Sequence, residues 1–287
     1  MPLNYHYIKN RPFEPIAHAY TERDTMLYAV GVGASIAAAD SPDDMKFIYE
    51  PQLTALPTMA VVLAQPSFWV AEPETGIDWH NMLHSEQFLR IHKPLSAAGR
   101  VTGQTRVVDI YDKGAEKGAL MLIENEIRDA ATQELLATCG FSVMLRKNGG
   151  FGGSSEGAPT PYPTPACAPE FVLELPTRPE QAFIYRLSGD YNPLHVDPAI
   201  ARIAGFERPI LHGLCSYGVT CRAVLKLLCD NDPARLRIFN TRFVSPVYPG
   251  ETLRVEIWRQ QPGVAAVQTR VVERNTVIMR NGYVEYL

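Results

Sequence analysis

A short stretch in the second half of the chain concentrates side chains that can move protons. Within six residues it holds a carboxylate, an amide and an imidazole, those of Asp190, Asn192 and His195. Gly189 frees the backbone just before this group, and Pro193 favours an extended conformation at Asn192. Such a turn can direct the three side chains to one small volume, as general acid–base catalysis requires. On local grounds the same pattern is also typical of a structural Asx-turn beside a surface histidine.

The residues that follow favour the catalytic interpretation. His212 leads into Gly213, the first residue of an apolar, proline-free run at 213–228 that predicts a buried helix. A glycine here lets a ligand approach the backbone, and its N–H belongs to the unbonded first turn at the positive end of the helix dipole. Such a group can hold an oxygen that gains negative charge, as in an oxyanion hole.

The elements around this stretch predict an α+β unit. Four runs rich in Val, Ile, Thr and aromatic residues follow the helix, at 236–244, 252–260, 264–273 and 276–287. A buried helix followed by consecutive antiparallel strands indicates a sheet wrapped around that helix. The run FIYRL at 183–187 has the composition of one more short strand, with core residues at Phe183, Ile184 and Leu187, ending just before the catalytic turn.

The chain divides into two halves that look related. Residues 148–170 are rich in Gly, Ser and Pro and predict a connector between residues 1–147 and 171–287. The first half repeats the order of the second, with a shorter apolar run at 56–64 in place of the helix. Its strand-like runs lie at 86–92, 100–110, 119–129 and 134–145. We therefore expect a duplication of one unit.

Only the second half carries the acid–base groups. When residues 28–33 are aligned with 185–190, Gly33 stands where the second half has Asp190. The following segment, ASIAAAD at 34–40, has no counterpart of the Asn-Pro-Leu-His that follows Asp190. The first half is therefore expected to be a non-catalytic repeat.

These motifs resemble the hydratase 2 or MaoC-like dehydratase family. The resemblance rests on YRLSGDYNPLH at 185–195 and on GFERPILHGLCSYG at 205–218. In the first half, FIYE at 47–50, DKG at 112–114 and GGFGG at 149–153 resemble the non-catalytic half of two-repeat members. The resemblance thus covers nearly the whole chain.

The resemblance implies a double hot-dog fold and an enzymatic activity. Each repeat would be an antiparallel sheet around a central helix, with residues 1–147 accommodating the acyl chain and residues 171–287 catalysing the reaction. The implied reaction is (R)-specific hydration of trans-2-enoyl-CoA, or dehydration of (3R)-hydroxyacyl-CoA in reverse. Medium- to long-chain acyl-CoA would be the substrate, in fatty-acid metabolism such as β-oxidation.

The resemblance also implies roles for individual residues. Asp190 and His195 would be the catalytic pair, Asn192 would help to place the water, and the backbone N–H of Gly213 would bind the thioester oxygen. The residues expected to contact the substrate are His84, Ser85, Lys113, Tyr191, Pro193, Leu194 and Phe243. Ser85 departs from the glycine that is usual in the family, which affects contacts near the pantetheine rather than the chemistry.

Composition limits the partners and the compartment. The formal net charge of −4 gives no basic surplus for binding nucleic acid or an anionic membrane. No apolar run is long enough to span a bilayer, and neither end reads as a targeting signal, so we expect a cytoplasmic protein. We expect neither a cofactor nor a metal, since His195, Asp197 and His212 lack a known ligand spacing. A homodimer is expected from the family.

Two other functions fit parts of the pattern. A non-catalytic acyl-CoA-binding protein is possible in principle, because a fold does not determine a function. Such a protein would not need the set Asp190, Asn192 and His195, which argues against it. An acyl-CoA thioesterase is the nearer alternative, and it would be distinguished by its release of free thiol.

Overall fold

A computed structural model describes residues 2–35 and 42–287 of the chain. Its α-helices are α1 (Tyr5–Lys9), α2 (Glu22–Gly31), α3 (Met45–Ile48), α4 (Gln181–Tyr185), α5 (Pro198–Ile203) and α6 (Gly213–Leu228). Its strands are β1 (Ile16–Tyr20), β2 (Met82–Ile91), β3 (Gly99–Asp112), β4 (Ala119–Asp129), β5 (Leu135–Leu145), β6 (Phe171–Pro176), β7 (Leu236–Phe243), β8 (Thr252–Gln261), β9 (Val264–Val271) and β10 (Thr276–Tyr286). The helix predicted at 213–228 is α6, and eight of the nine predicted strand runs are present with small changes at their ends.

The ten strands form one continuous antiparallel sheet. Their order is β1-β3-β4-β5-β2-β7-β10-β9-β8-β6, so each half contributes five strands arranged in the same way. The halves join where β2 pairs with β7, with Phe88 opposite Asn240. One sheet in each repeat was expected. An unpaired edge exposes backbone donors and acceptors, and pairing the edges of the two sheets satisfies both. The shared strand order supports the proposed duplication.

The two halves differ in the element that the sheet encloses. In the second half, α6 packs against β6, β7 and β8 and is buried along most of its length. In the first half, the place of the helix is taken by a 3-10 turn at Pro57–Val62. Pro57 at its start has no N–H to give, and Val61 and Val62 are β-branched and have low helix propensity. The shorter element leaves space beside the first half of the sheet.

One predicted strand is wrong. Residues 183–187 belong to α4 and the 3-10 turn at Arg186–Ser188, and the side chains of Phe183 and Leu187 are exposed instead of lying in the core. The aromatic and β-branched composition favours a strand locally, but tertiary packing decides. Tyr185 is fully buried, and its ring lies 6.1 Å from that of Tyr28 on α2. The two short helices therefore pack against each other.

The connector crosses the face of the sheet opposite α6. No helix or strand is assigned between β5 and β6, as expected for residues 148–170. The carbonyl of Tyr162 accepts a bond from the Asn281 amide at 2.7 Å, and that of Cys167 accepts one from the Trp258 indole at 2.8 Å. These bonds tie the connector to β10 and β8.

The sequence patterns did not predict the short edge strands β1 and β6.

Two further expectations concern membrane-spanning runs and the segment 34–40. Among the residues that the structure describes, no helix is both long and apolar enough to cross a membrane. The segment 34–40, expected to lack acid–base groups, lies mostly outside the described residues, which resume at residue 42.

Candidate active site

The turn that carries Asp190 is an Asx-turn that also presents a carboxylate. Gly189 ends the preceding 3-10 turn with a φ of 116°, a conformation that favours glycine. The Oδ1 of Asp190 then accepts a bond from the N–H of Asn192 at 3.2 Å, and the Oδ1 of Asn192 accepts one from Leu194 at 3.0 Å. The structural and the catalytic interpretations are therefore compatible. The NH₂ group of Asn192 makes no hydrogen bond to the described residues and can donate to a water molecule.

His195 has a defined tautomer. It ends the 3-10 turn Pro193–His195, and its side chain is 8% exposed. Its Nδ1 lies 2.9 Å from the carbonyl oxygen of Ile210, which can only accept, so the neutral ring carries its proton there. The Nε2 lone pair is left free to receive a proton. Burial lowers the pKa of His195, and the nearby charge of Asp190 opposes this shift.

His212 and Gly213 bring the start of α6 to the same place. The ring of His212 stacks on that of His195, with centroids 3.7 Å apart and planes at 28°. The Nε2 of His212 donates to the backbone carbonyl of Asp190 at 3.1 Å. Gly213 follows directly and is exposed, and no described residue accepts a bond from its N–H. The ring of Phe243 would lie 3.4 Å from a Cβ at this position.

The same cluster has the residue types of a metal site but not its geometry. The possible ligand atoms of Asp190, His195 and His212 all lie within 4.8 Å of one another. An imidazole binds a metal through a lone pair in its own ring plane, and the two stacked rings lie in nearly parallel planes. Their lone pairs therefore cannot converge on one ion without a rearrangement of the stack.

A cavity of about 360 Å³ opens beside the cluster. Asp190 and Leu214 line it from the second half, and the rest of its wall is largely apolar and comes mostly from the first half. The first-half residues in the wall are Val61, Val62, Gln65, Pro66, Ser67, Phe68, Trp69, Val70, Met82, His84, Gln87, Ile123, Asn125, Cys139, Phe141 and Val143. The cavity occupies the space beside the 3-10 turn of the first half, where the second half has a helix.

The residues predicted to contact substrate fall into two groups. His84 lines the cavity, and its ring lies 5.0 Å from that of Phe243, which stands beside Gly213. Ser85 lies at a β-bulge in β2 with its hydroxyl 3.4 Å from the Leu83 carbonyl oxygen. Apart from His84, the residues predicted to contact substrate are absent from the cavity wall, and their substrate contacts stay predictions: Ser85, Lys113, Tyr191, Pro193, Leu194 and Phe243.

The sequence patterns missed much of the cavity wall. The predicted run at 56–64 takes only the place of the helix, yet Val61, Val62 and residues 65–70 line the cavity. Gln87, Ile123 and Phe141 also face the cavity. Alternation along strands gives an inward position but does not distinguish a cavity wall from a packed core.

We expect the protein to lose stability between pH 7 and pH 5. Burial lowers the pKa of His84 and of His212 to about 4 from the ordinary 6.5, so both rings stay neutral in the folded chain. The unfolded chain takes up these protons below pH ~6.5, so the free energy of unfolding falls as the pH falls, by about 1–2 kcal/mol per imidazole over this range. Urea unfolding at a series of pH values measures the slope.

Two substitutions serve to assign that slope. His84→Gln removes one of the buried imidazoles and should flatten the pH dependence. His6→Gln removes an exposed imidazole on α1 and should leave the slope unchanged. Equal slopes in wild type and His84→Gln would show that His84 does not contribute.

Family comparisons agree with the two-part organisation of the site. Residues 162–281 match the family model of the MaoC like domain. Residues 18–147 match that of the MFE-2 hydratase 2 N-terminal domain. The first match contains the turn at 189–195 and the start of α6, and the second contains the first-half cavity wall.

Individual relatives match over nearly the whole chain. The 3-hydroxyacyl-thioester dehydratase Y of Mycobacterium tuberculosis is 40% identical over 279 residues, covering 96% of this chain and 95% of the relative. The peroxisomal multifunctional enzyme type 2 of mouse is 40% identical over 275 residues, 93% of this chain, but the match spans only 36% of that longer protein.

The fold is also shared with solved structures. The crystal structure of a MaoC-like dehydratase from Phytophthora capsici superimposes with a TM-score of 0.87 at 38% identity, covering 98% of each chain. The double hot-dog fold expected from the sequence is thus confirmed. On its sequence, its fold and the residues of its second half, the chain belongs to the MaoC-like dehydratase family.

Proposed function

We propose that this protein is an (R)-specific trans-2-enoyl-CoA hydratase, which in reverse dehydrates (3R)-hydroxyacyl-CoA. One observation carries the proposal: a carboxylate, that of Asp190, lines a largely apolar cavity and forms one cluster with His195 and His212. Gly213 follows His212 directly, and its N–H has no acceptor among the described residues. Two relatives described above are named a dehydratase of 3-hydroxyacyl thioesters and a peroxisomal multifunctional enzyme, which is consistent with this chemistry.

The proposed reaction starts with attack of water on C3 of the enoyl thioester. C3 is electrophilic because the double bond is conjugated with the thioester carbonyl. Asp190 and the free Nε2 of His195 hold the water, and Asn192 adds an N–H donor. As the new C3–O bond forms, one proton of the water passes to this pair and the electrons of the double bond move to the thioester oxygen.

In the second step of the proposed reaction, C2 receives a proton. The N–H of Gly213, at the positive end of α6, stabilises the enolate oxygen. One such donor can lower the activation free energy by about 3 kcal/mol. C2 then takes up a proton from the pair Asp190 and His195, which restores both groups to their starting states. The net change is addition of one water across the double bond.

The cavity supports an acyl substrate of medium to long chain. Its wall is built chiefly from the side chains of the first half, such as Val61, Val62 and Ile123. Apolar side chains of this kind favour burial of a hydrocarbon chain over a polar one. No cofactor takes part in the proposed reaction, because the CoA thioester is itself the substrate.

The proposal is tested by mixing the purified protein with trans-2-enoyl-CoA substrates of several chain lengths. We expect loss of the conjugated-thioester absorbance, fastest with medium or long chains, and (R)-3-hydroxyacyl-CoA as the product in chiral analysis. A thiol reagent run in parallel should detect no free CoA. Release of CoA without hydration would make the protein a thioesterase, and tight binding without turnover would make it an acyl-CoA-binding protein.

We also propose a cytoplasmic homodimer. The formal net charge of −4 and the acyl-CoA site give no reason to expect nucleic acid or a membrane as a partner. The mouse relative is named as peroxisomal, so the compartment is tested directly by cell fractionation. Light scattering on the eluting peak of a sizing column gives the mass of the assembly.

A further inference from the structure

His212 makes contacts with three parts of the site at once. Its ring stacks on the ring of His195 at 3.7 Å, and its Nε2 donates to the main chain of Asp190 at 3.1 Å. Its backbone forms the N-cap of α6, so that Gly213 is the next residue. His212 is 1% exposed and is therefore fixed by the packing around it.

The bond from His212 matters because Asp190 is otherwise weakly held. Asp190 lies in a loop after the left-handed Gly189, outside any helix or strand. In the part of the chain that the structure describes, the bond from His212 is the only hydrogen bond made by the main chain of Asp190. Loss of this bond would leave the carboxylate free to shift with its loop.

The stacking contact with His212 restrains the orientation of the His195 ring. The bond from Nδ1 to the Ile210 carbonyl fixes one edge of that ring, but a single bond leaves the ring free to tilt around it. The flat face of His212 restricts the tilt, since the planes are held at 28°. With both constraints, the Nε2 of His195 points in one direction.

Packing alone does not explain why this residue is a histidine. The Nδ1 of His212 is buried and has no hydrogen-bond partner among the described residues. An unpaired buried acceptor is unfavourable, and a phenylalanine of similar shape would avoid it. The polar group that the ring does use is the Nε2–H that holds Asp190.

We propose that His212 is a positioning residue, which sets the carboxylate of Asp190 and the ring of His195 in their reactive arrangement without touching the substrate. The proposal rests on the proposed hydratase function for its kinetic test. It assigns two separable tasks to one side chain, a hydrogen bond to Asp190 and a stacking surface for His195.

Two variants separate these tasks. His212→Phe keeps a flat ring but has no N–H, and His212→Gln keeps an N–H near the place of Nε2 but has no ring. Each should lower kcat for enoyl-CoA hydration about 10- to 100-fold, because small displacements of catalytic groups are costly, while KM changes less than about threefold. Each variant is also titrated by calorimetry with a saturated acyl-CoA, which cannot be hydrated. The titration gives the fraction of molecules that can bind, and kcat is divided by this fraction.

Tyr185→Phe is the matched control in the same buried cluster. Its ring lies 5.0 Å from that of His212, and its hydroxyl is buried without a partner among the described residues. Removal of this hydroxyl disturbs the packing next to His212 but neither of the two proposed tasks. Its kcat per competent molecule should stay within about twofold of wild type, as expected when no group that fixes Asp190 or His195 is lost.

A spectroscopic measurement makes the inference independent of turnover. In wild type, the two ring nitrogens of His195 should give separate ¹⁵N signals, one protonated and one bare. In His212→Gln the bond to Ile210 keeps the tautomer, but the ring without its stacking partner should tilt about that bond, so both ¹⁵N signals should shift and broaden. The proposal is overturned if either variant retains a normalised kcat within twofold of wild type, or if the competent fraction accounts for the whole loss. If wild-type protein hydrates no enoyl-CoA, the proposed function fails, and unchanged ¹⁵N signals in His212→Gln would then overturn the positioning role as well.

Discussion

Asp190→Asn is expected to lower kcat for enoyl-CoA hydration by about 10³-fold or more while the fold is retained. The amide cannot accept a proton from water, and general-base catalysis commonly contributes 10²- to 10⁴-fold. The fold should persist because the amide oxygen of Asn can still accept the bond from the N–H of Asn192, now made to Asp190 at 3.2 Å. Steady-state hydration kinetics and a thermal melt of the same sample measure the two effects.

The neighbouring carboxylate of Asp197 provides the control for this variant. Asp197 caps α5, where its Oδ1 accepts a bond from the N–H of Ala199 at 2.7 Å. Asn is an equally good N-cap, so Asp197→Asn removes the same charge from the same segment with little structural effect. Its activity should stay near that of wild type. If Asp190→Asn kept more than about a tenth of the activity, Asp190 would not be the base, and its role would pass to His195.

Gly213→Pro is expected to lower kcat about 10²- to 10³-fold, because it replaces the proposed oxyanion donor, the N–H, with a ring carbon. Gly213 is the first residue of α6, the one helical position where proline is well tolerated. The residue before a proline prefers an extended ψ, and His212 already has a ψ of 133°. Kinetics with a saturating enoyl-CoA measure the loss, and circular dichroism shows whether the helix is kept.

Gly213→Ala is the matched control because it adds a side-chain carbon but keeps the N–H. Its Cβ would lie 3.4 Å from the nearest atom of Phe243, an ordinary contact distance. We expect a decrease of less than about tenfold, well short of the effect of losing an oxyanion donor. Equal losses in the alanine and proline variants would mean that the space at Gly213, and not its N–H, is what the reaction needs.

The grouping of candidate side chains in the second half could be predicted from its sequence. The side chains of Asp190, Asn192 and His195 are separated by so few residues that one turn fixes their neighbourhood. The helix at 213–228 is apolar nearly all round and has no proline, so its bounds followed from composition. The family resemblance of the motifs at 185–195 and 205–218 is confirmed by the family comparisons.

Several features were not predictable because they depend on contacts between distant segments. The run 183–187 has strand-like residues, but burial of Tyr185 against Tyr28 makes it a helix. The edge strand β1 has only five residues, and its pairing with β3 gives it its structure. Local propensity differences are small compared with the free energy of burying such side chains.

The sequence by itself determined the family, and it predicted the two-part organisation and the side chains proposed to carry the chemistry, because these depend on residue identity and close spacing. Only the tertiary structure decided that β2 and β7 join both halves in one sheet, and that the first half leaves a cavity in front of Asp190. It also decided that His212 stacks on His195, which lies 17 positions earlier in the chain, and holds Asp190. Such contacts depend on how whole elements pack together. The side-chain periodicity along one element does not show which element packs against it.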